Sequence, residues 1–215
     1  MSKFPAQNAR LAMAAAAAAL ALSLLACTHG PQASARKPLV VDTAASSLRF
    51  VSTKAGAAGV GGVVEVHRFD RFQGGLGADG TVRLDIDLAS VNTGVGIRDE
   101  RLRTMLFNVA VSPRATFTAK LDPAALDALP ANGSLDLDVS GTLSLAGQAR
   151  PTSAALRVTR LPQRALQVVT RAPIVVDAQQ FGLKPGVEAL REVMGLAFLA
   201  AAAPVTLNVV LHEQP

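Results

Sequence analysis

A two-residue hydrophobic period governs this chain from Leu39 onward. Val82, Leu84, Ile86 and Leu88 alternate with Arg83, Asp85 and Asp87. Leu135, Leu137, Val139, Gly141, Leu143 and Leu145 alternate with Asp136, Asp138, Ser140, Thr142 and Ser144. Near the C-terminus Val205, Leu207, Val209 and Leu211 alternate with Thr206, Asn208 and His212, and only Val210 breaks the polar set. Side chains on a strand point to opposite faces in turn, so such runs predict antiparallel strands with one buried and one wet face. The expectation is that Leu84, Ile86, Leu137, Val139, Leu143, Leu207 and Val209 face inward. Asp85, Asp87, Asp136, Asp138 and Asn208 are expected to face out, where water keeps the carboxylates ionised. A one-residue slip would expose the apolar set and bury several carboxylates.

Weaker alternation marks 48–53, 63–69, 72–76, 115–121, 154–160 and 166–172. Turn residues separate many of these runs, at 77–80, 131–134 and 147–151. About eight to ten strands follow, enough to close a barrel and remove its edges. Gly141, inside the longest run, suits a strand that bends around a barrel corner. Helical spacing is confined to 97–107, 123–129 and the stretch beginning at Val187, which Gly195 interrupts. In the first of these, Asp99 and Glu100 fall in the opening turn, where the helix dipole favours negative charge. The fold class is therefore all-β with short helices. The expected interior is aliphatic, because the chain has no Trp or Tyr.

The N-terminus differs. Lys3 and Arg10 precede an apolar run from Leu11 to Ala26 that ends Leu24-Leu25-Ala26-Cys27. A basic start, a short apolar middle and small residues before a cut site make a secretory signal peptide. The run falls short of the ~20 residues that span a bilayer. Its closing Leu24–Cys27 resembles the lipobox of bacterial lipoproteins, whose cysteine receives a diacylglycerol and becomes the mature N-terminus. The expected organisation is a signal peptide over 1–26, a lipidated Cys27 with a tether over 27–38, and one barrel domain over 39–215. No aspartate follows Cys27, which favours an outer-membrane anchor facing the periplasm. Cys27 is the only cysteine, so no disulfide staples the domain and apolar burial must hold it.

Charge excludes one class of partner. Of 21 basic and 16 acidic residues, Lys3 and Arg10 leave with the signal. The remaining arginines are scattered, with almost no aromatics among them, so the footprint of a nucleic-acid binder is missing. Chemistry is equally sparse. Glu65 and His67 share a strand face with Asp70 close behind, too few ligands for a metal site. They are expected to form a solvated polar face. Gly59-Val60-Gly61-Gly62 is too short for a phosphate loop, and no nucleophile elbow is present. The expectation is a protein that is not an enzyme and uses no cofactor.

The most telling stretch is Ser90 to Phe117, in which a strand ending Ser90-Val91-Asn92-Thr93 precedes Arg98-Asp99, Leu102, Phe107, Pro113 and Thr116-Phe117. It resembles the YceI-like family. Gly141-Thr-Leu-Ser-Leu-Ala-Gly147 with Pro151 behind it, and Gln180-Phe181-Gly182-Leu183, resemble two further elements of that family. Where members often carry a histidine after the first strand, this chain has Ser52-Thr53-Lys54. Around Phe107 many members have two aromatics, and here Leu106 precedes it. The resemblance implies a lipocalin-like antiparallel barrel, with a helix near one mouth, that binds polyisoprenoid, quinone-like or other long-chain lipids. Phe50, Leu84, Ile86, Arg98, Leu102, Met105, Leu106, Phe107, Phe117, Leu137, Val139, Leu143, Leu207 and Val209 are the expected lining or mouth of its tunnel. Met105 suits a surface that adapts to a variable lipid. Arg98 offers a donor fork to a phosphate or quinone head, pairs with a local carboxylate such as Asp99, or braces the loop to a neighbouring strand. The implied role is carriage or sequestration of the lipid. The rival reading is a barrel filled by its own side chains that acts as an envelope scaffold or stress-response partner.

Overall fold

The computed structural model describes residues 37–56 and 61–214. Signal, lipobox and nearly all of the tether lie outside them. Twelve strands form one sheet, and all its pairings are antiparallel. They are β1 (Leu39–Ala55), β2 (Gly62–Phe69), β3 (Phe72–Leu76), β4 (Thr81–Asp87), β5 (Val91–Asn92), β6 (Arg114–Lys120), β7 (Ser134–Leu145), β8 (Gln148–Arg160), β9 (Leu166–Thr170), β10 (Ile174–Asp177), β11 (Phe198–Leu199) and β12 (Ala202–Glu213). The ring runs β1-β3-β4-β6-β7-β8-β9-β12, and β12 pairs back onto β1 from Leu39↔Glu213 to Phe50↔Val205. Eight strands thus close an antiparallel barrel, which leaves no edge around the ring.

Two of the staves are broken. β2 pairs with residues 48–55 of β1 and β3 with Leu39 and Val40, so the two lie end to end across Asp70-Arg71. β9 and β10 likewise follow one another along β12. Sequence spacing places a turn at 147–151, whereas the reversal needs only Ala146 and Gly147, both at positive φ, and Pro151 lies inside β8. Positive φ at both central residues matches the twist of the flanking strands. Gly141 serves packing here. A Cβ at that position would come within 2.4 Å of the Thr118 carbonyl and 2.5 Å of the Phe117 ring, which leans across it.

Three helices complete the fold: α1 (Gly96–Arg101), α2 (Pro123–Asp127) and α3 (Lys184–Val193). α1 runs on into a π turn, Leu102–Leu106, in which the Phe107 amide donates to the Leu102 carbonyl. At one end of the barrel α2 inserts the fully buried Leu126 among Leu39, Leu76 and Leu129. Arg160 fastens that plug by donating to the carbonyls of Leu129 and Leu126. Around the other end Leu88, Phe107, Phe181 and Leu183 pack together, with Leu102 and Leu106 against them. Among the described residues no helix is long and apolar enough to cross a membrane.

Candidate functional site

The alternation places the strand residues as expected. Leu84, Ile86, Leu137, Val139, Leu143, Leu207 and Val209 line an interior cavity of about 330 Å³, while Asp85, Asp87, Asp136, Asp138 and Asn208 do not. The outward carboxylates are not simply solvated, which corrects the expectation from sequence. Asp136 is exposed but accepts from Arg157 at 2.7 Å and from Arg171 at 2.9 Å, and these bonds hold its pKa down to about 2. Burial alone would raise the Asp85 carboxyl. Hydrogen bonds from Arg83 and Thr116 outweigh that and hold it below the usual range.

The cavity wall is almost wholly aliphatic and aromatic, and only Ser52, Arg83 and Thr152 interrupt it. Phe50, Phe69 and Phe107 form a tilted stack, with centroids 5.3 and 6.1 Å apart. The interior thus holds open apolar space of about 330 Å³ between these side chains. Of the expected lining, Phe50, Leu102, Leu106, Phe107 and Phe117 join the seven strand residues in the wall.

Met105 does not, and the reason is the π turn. With bonds spanning five residues, the inward stripe runs Leu102, Leu106, Phe107 and leaves Met105 off it. α-helical spacing places Leu102, Met105 and Leu106 together. The Met105 carbonyl instead meets α3, where a Cβ on Gly186 would come within 2.6 Å of it. Through that close approach Val187 and Leu190 of α3 reach the cavity.

Local sequence explains how this mouth is built. Asp99 is buried and accepts from the Thr93 amide at 2.8 Å and its hydroxyl at 2.6 Å, clasping the loop to α1. Arg103 donates to the Ala89 carbonyl at 2.8 Å. Asp177 caps the 3-10 turn over Ala178–Phe181, and Gly182, in the left-handed region, ends it. Phe181 and Leu183 on either side of that glycine are both buried.

The largest departure from the sequence reading lies on β2. Glu65 and His67 face inward, and Val64 and Val66 stand outside with 64% and 62% of their surface exposed. His67 is 5% exposed. Its Nε2 lies 2.8 Å from the Ser52 hydroxyl, and its Nδ1 is buried with no hydrogen-bond partner among the described residues. Burial, aided by the Arg98 charge, lowers its pKa from 6.5 and favours the neutral ring. Arg98 braces Glu65 at 2.8 Å, and Lys54 reaches the same carboxylate oxygen at 2.5 Å. Lys54 and then Arg98 hold the Glu65 carboxyl below its usual range against burial. These groups line a recess of about 50 Å³ that shares Phe50, Ser52, Leu102, Leu190 and Leu199 with the main cavity. Phe69, two residues after His67, shares this inward face and lines the main cavity.

A closed antiparallel barrel around an apolar cavity, plugged at one end and helix-rimmed at the other, defines a lipocalin-like architecture. The YceI-like domain model matches residues 39–211, and the chain belongs to that family. Two solved structures are similar. A polyisoprenoid binding domain from Saccharophagus degradans, implicated in plant cell wall breakdown, is 34% identical with a TM-score of 0.77, covering 83% of this chain and 100% of that one. BcnA from Burkholderia cenocepacia shares the fold at 20% identity and a TM-score of 0.59, covering 79% and 98%. No curated protein matches the chain.

Proposed function

We propose that this protein holds an isoprenoid or similar long-chain lipid inside its barrel, for carriage or sequestration rather than catalysis. The cavity carries this reading. A wall of aliphatic side chains gains roughly 25 cal/mol per Å² of apolar surface it removes from water, with no directional demand on the ligand. Relatedness to a polyisoprenoid binding domain supports an isoprenoid occupant. The tail would lie along Leu84, Ile86, Leu137, Val139, Leu143, Leu207 and Val209, and Phe50, Leu102, Leu106, Phe107 and Phe117 would surround its mouth end.

The Leu24–Cys27 lipobox supports export and anchoring at the outer membrane through a diacylated Cys27, with the barrel in the periplasm. Two experiments test the proposal. Native mass spectrometry of protein purified from membranes should show a lipid adduct that organic extraction removes and identifies, and bare protein throughout would overturn the binding role. Cys27→Ser should abolish incorporation of labelled palmitate. Continued labelling of the variant, or none in the wild type, would overturn the anchor.

A further inference from the structure

The outer surface of the barrel has two unlike walls. Across β4, β7 and β8 it is charged, with Arg83 against Asp85 at 2.7 Å and with Arg157 and Arg171 on Asp136 at 2.7 and 2.9 Å. Across β2, β1, β12 and β10 charge thins out. Among the outward residues of β1 and β12 only Asp42 and Arg49 carry a formal charge. Asp42 accepts from the amides of Ala44 and Ala45, at 3.0 and 3.2 Å. Arg49 is exposed and has no partner among the described residues.

This second wall also carries exposed apolar side chains near the helix-rimmed end. Val64, Val66, Val175 and Phe198 are each half to two-thirds exposed. Strand register makes them one surface, because paired residues share a face. Val66 lies opposite Val51, Phe198 opposite Ala55 and Val175 opposite Pro204. Pro204 precedes Val205, which pairs with Phe50, so one outward row crosses four strands as Val66, Val51, Pro204 and Val175. Val64 and Phe198 extend the patch toward the barrel end. A contiguous exposed apolar surface of this kind marks a place of contact.

The path of the chain and the build of β2 choose the occupant. Residues 27–38 lead from Cys27 into β1, a central strand of this wall. Twelve residues span at most roughly 40 Å. An anchor at Cys27 thus keeps the wall beside its own membrane, at an effective concentration where a shallow apolar contact suffices. A second copy fits less well. Between Gly62 and His67 β2 pairs with β1 alone, and Glu65 points inward from that edge, a charge that discourages addition of another strand. The patch also falls well short of the about 20–30 residues a side that a stable dimer uses.

We propose that the wall of β2, β1, β12 and β10 rests on the membrane that carries Cys27, with Val64, Val66, Val175 and Phe198 among the headgroups and Arg49 beside anionic phosphates. This rests on the anchoring reading above. The charged wall then faces water, and the helix-rimmed end lies at the lipid surface.

The test uses the lipoprotein purified from membranes and reconstituted, at a low protein-to-lipid ratio, in vesicles of phosphatidylethanolamine and phosphatidylglycerol. Cys27 is the only cysteine, and acylation blocks its thiol, so a nitroxide attaches solely at an introduced cysteine. Val66→Cys labels this wall and Ser140→Cys the charged one, both at exposed positions. Oxygen concentrates among acyl chains and a nickel chelate stays in water. The ratio of nitroxide relaxation by the two should be severalfold higher at position 66 than at position 140. Adding Val64→Glu and Val175→Glu should remove that contrast without moving the melting temperature, since exposed substitutions change stability little. Equal ratios at the two positions, or a contrast that survives both glutamates, would overturn the docking while leaving the anchor intact. Dipolar coupling between nitroxides at position 66 of two copies, with a low oxygen ratio there, would put a second copy on this wall and overturn it as well. A wild-type protein that takes up the nitroxide at Cys27 would overturn the anchoring reading, and this proposal with it.

Discussion

At the scale of single residues, His67 couples stability to pH. Its folded pKa lies below 6.5, so below that pH the unfolded chain binds more protons than the folded one. Stability is therefore fully present above pH 6.5 and falls as pH drops toward the folded pKa. The lowered carboxylates act elsewhere. Asp85 and Asp136 contribute above their ordinary pKa of 3.8, and that contribution is lost only as pH falls through their lower folded values. Between pH 7.5 and 5.5 the contribution of His67 thus stands apart from theirs. The melting temperature of the wild type should drop across that window, and that of His67→Phe should drop less. In a domain of this size about 1 kcal/mol corresponds to roughly 2–4 °C. Equal slopes for the two proteins would mean that His67 titrates as it does in the unfolded chain.

Among the elements, the close approach of α3 to the π turn shapes the helix-rimmed end of the barrel. Gly186 lies where a Cβ would come within 2.6 Å of the Met105 carbonyl and 3.0 Å of the Leu106 Cα, both backbone atoms. Gly186→Leu should push α3 outward and cost about 1–3 kcal/mol as overpacking does. It should also speed release of a preloaded lipid, and an unchanged off-rate would show that exchange does not pass this rim. How much of this was legible beforehand differs by element. β4, β7 and β12 were readable because a strict two-residue period has only one register that buries Leu84, Val139 or Val209 without burying an aspartate or, on β12, Asn208. β2 was misread because its valines are outside and its polar residues inside. Pairing with β1 decides that register, Phe50 opposite His67 and Ser52 opposite Glu65, and a local period cannot see a partner strand. The π turn was hidden for a related reason: Leu102, Met105 and Leu106 fit α-helical spacing equally well, and contact with α3 sets which of them turns inward. The Ser52–His67 pair joins residues fifteen apart, too distant in sequence to read as a motif.

For the whole molecule, the cavity sets the energetic problem that a ligand would solve. Mutational cavities cost ~24 cal/mol per Å³, which for about 330 Å³ comes to roughly 8 kcal/mol. That is comparable with the entire stability of an ordinary domain, about 5–15 kcal/mol, so an empty barrel should be marginal. Bound lipid at a hundredfold excess over its Kd would add about 2.7 kcal/mol. Stripping lipid should therefore lower the melting temperature, and restoring it should raise it again. Filling the space from within the chain offers the sharper test. Val139 is buried in the wall near the middle of β7, so Val139→Phe directs a ring into the cavity. Cavity-filling changes commonly contribute about 0.5–2 kcal/mol. The lipid-free variant should thus melt above the lipid-free wild type, yet carry less lipid per folded molecule after purification from membranes. The two effects must move in opposite directions, because the ring and the lipid compete for one volume. If Val139→Phe gains stability and keeps its full lipid load, the lipid lies somewhere other than the barrel interior.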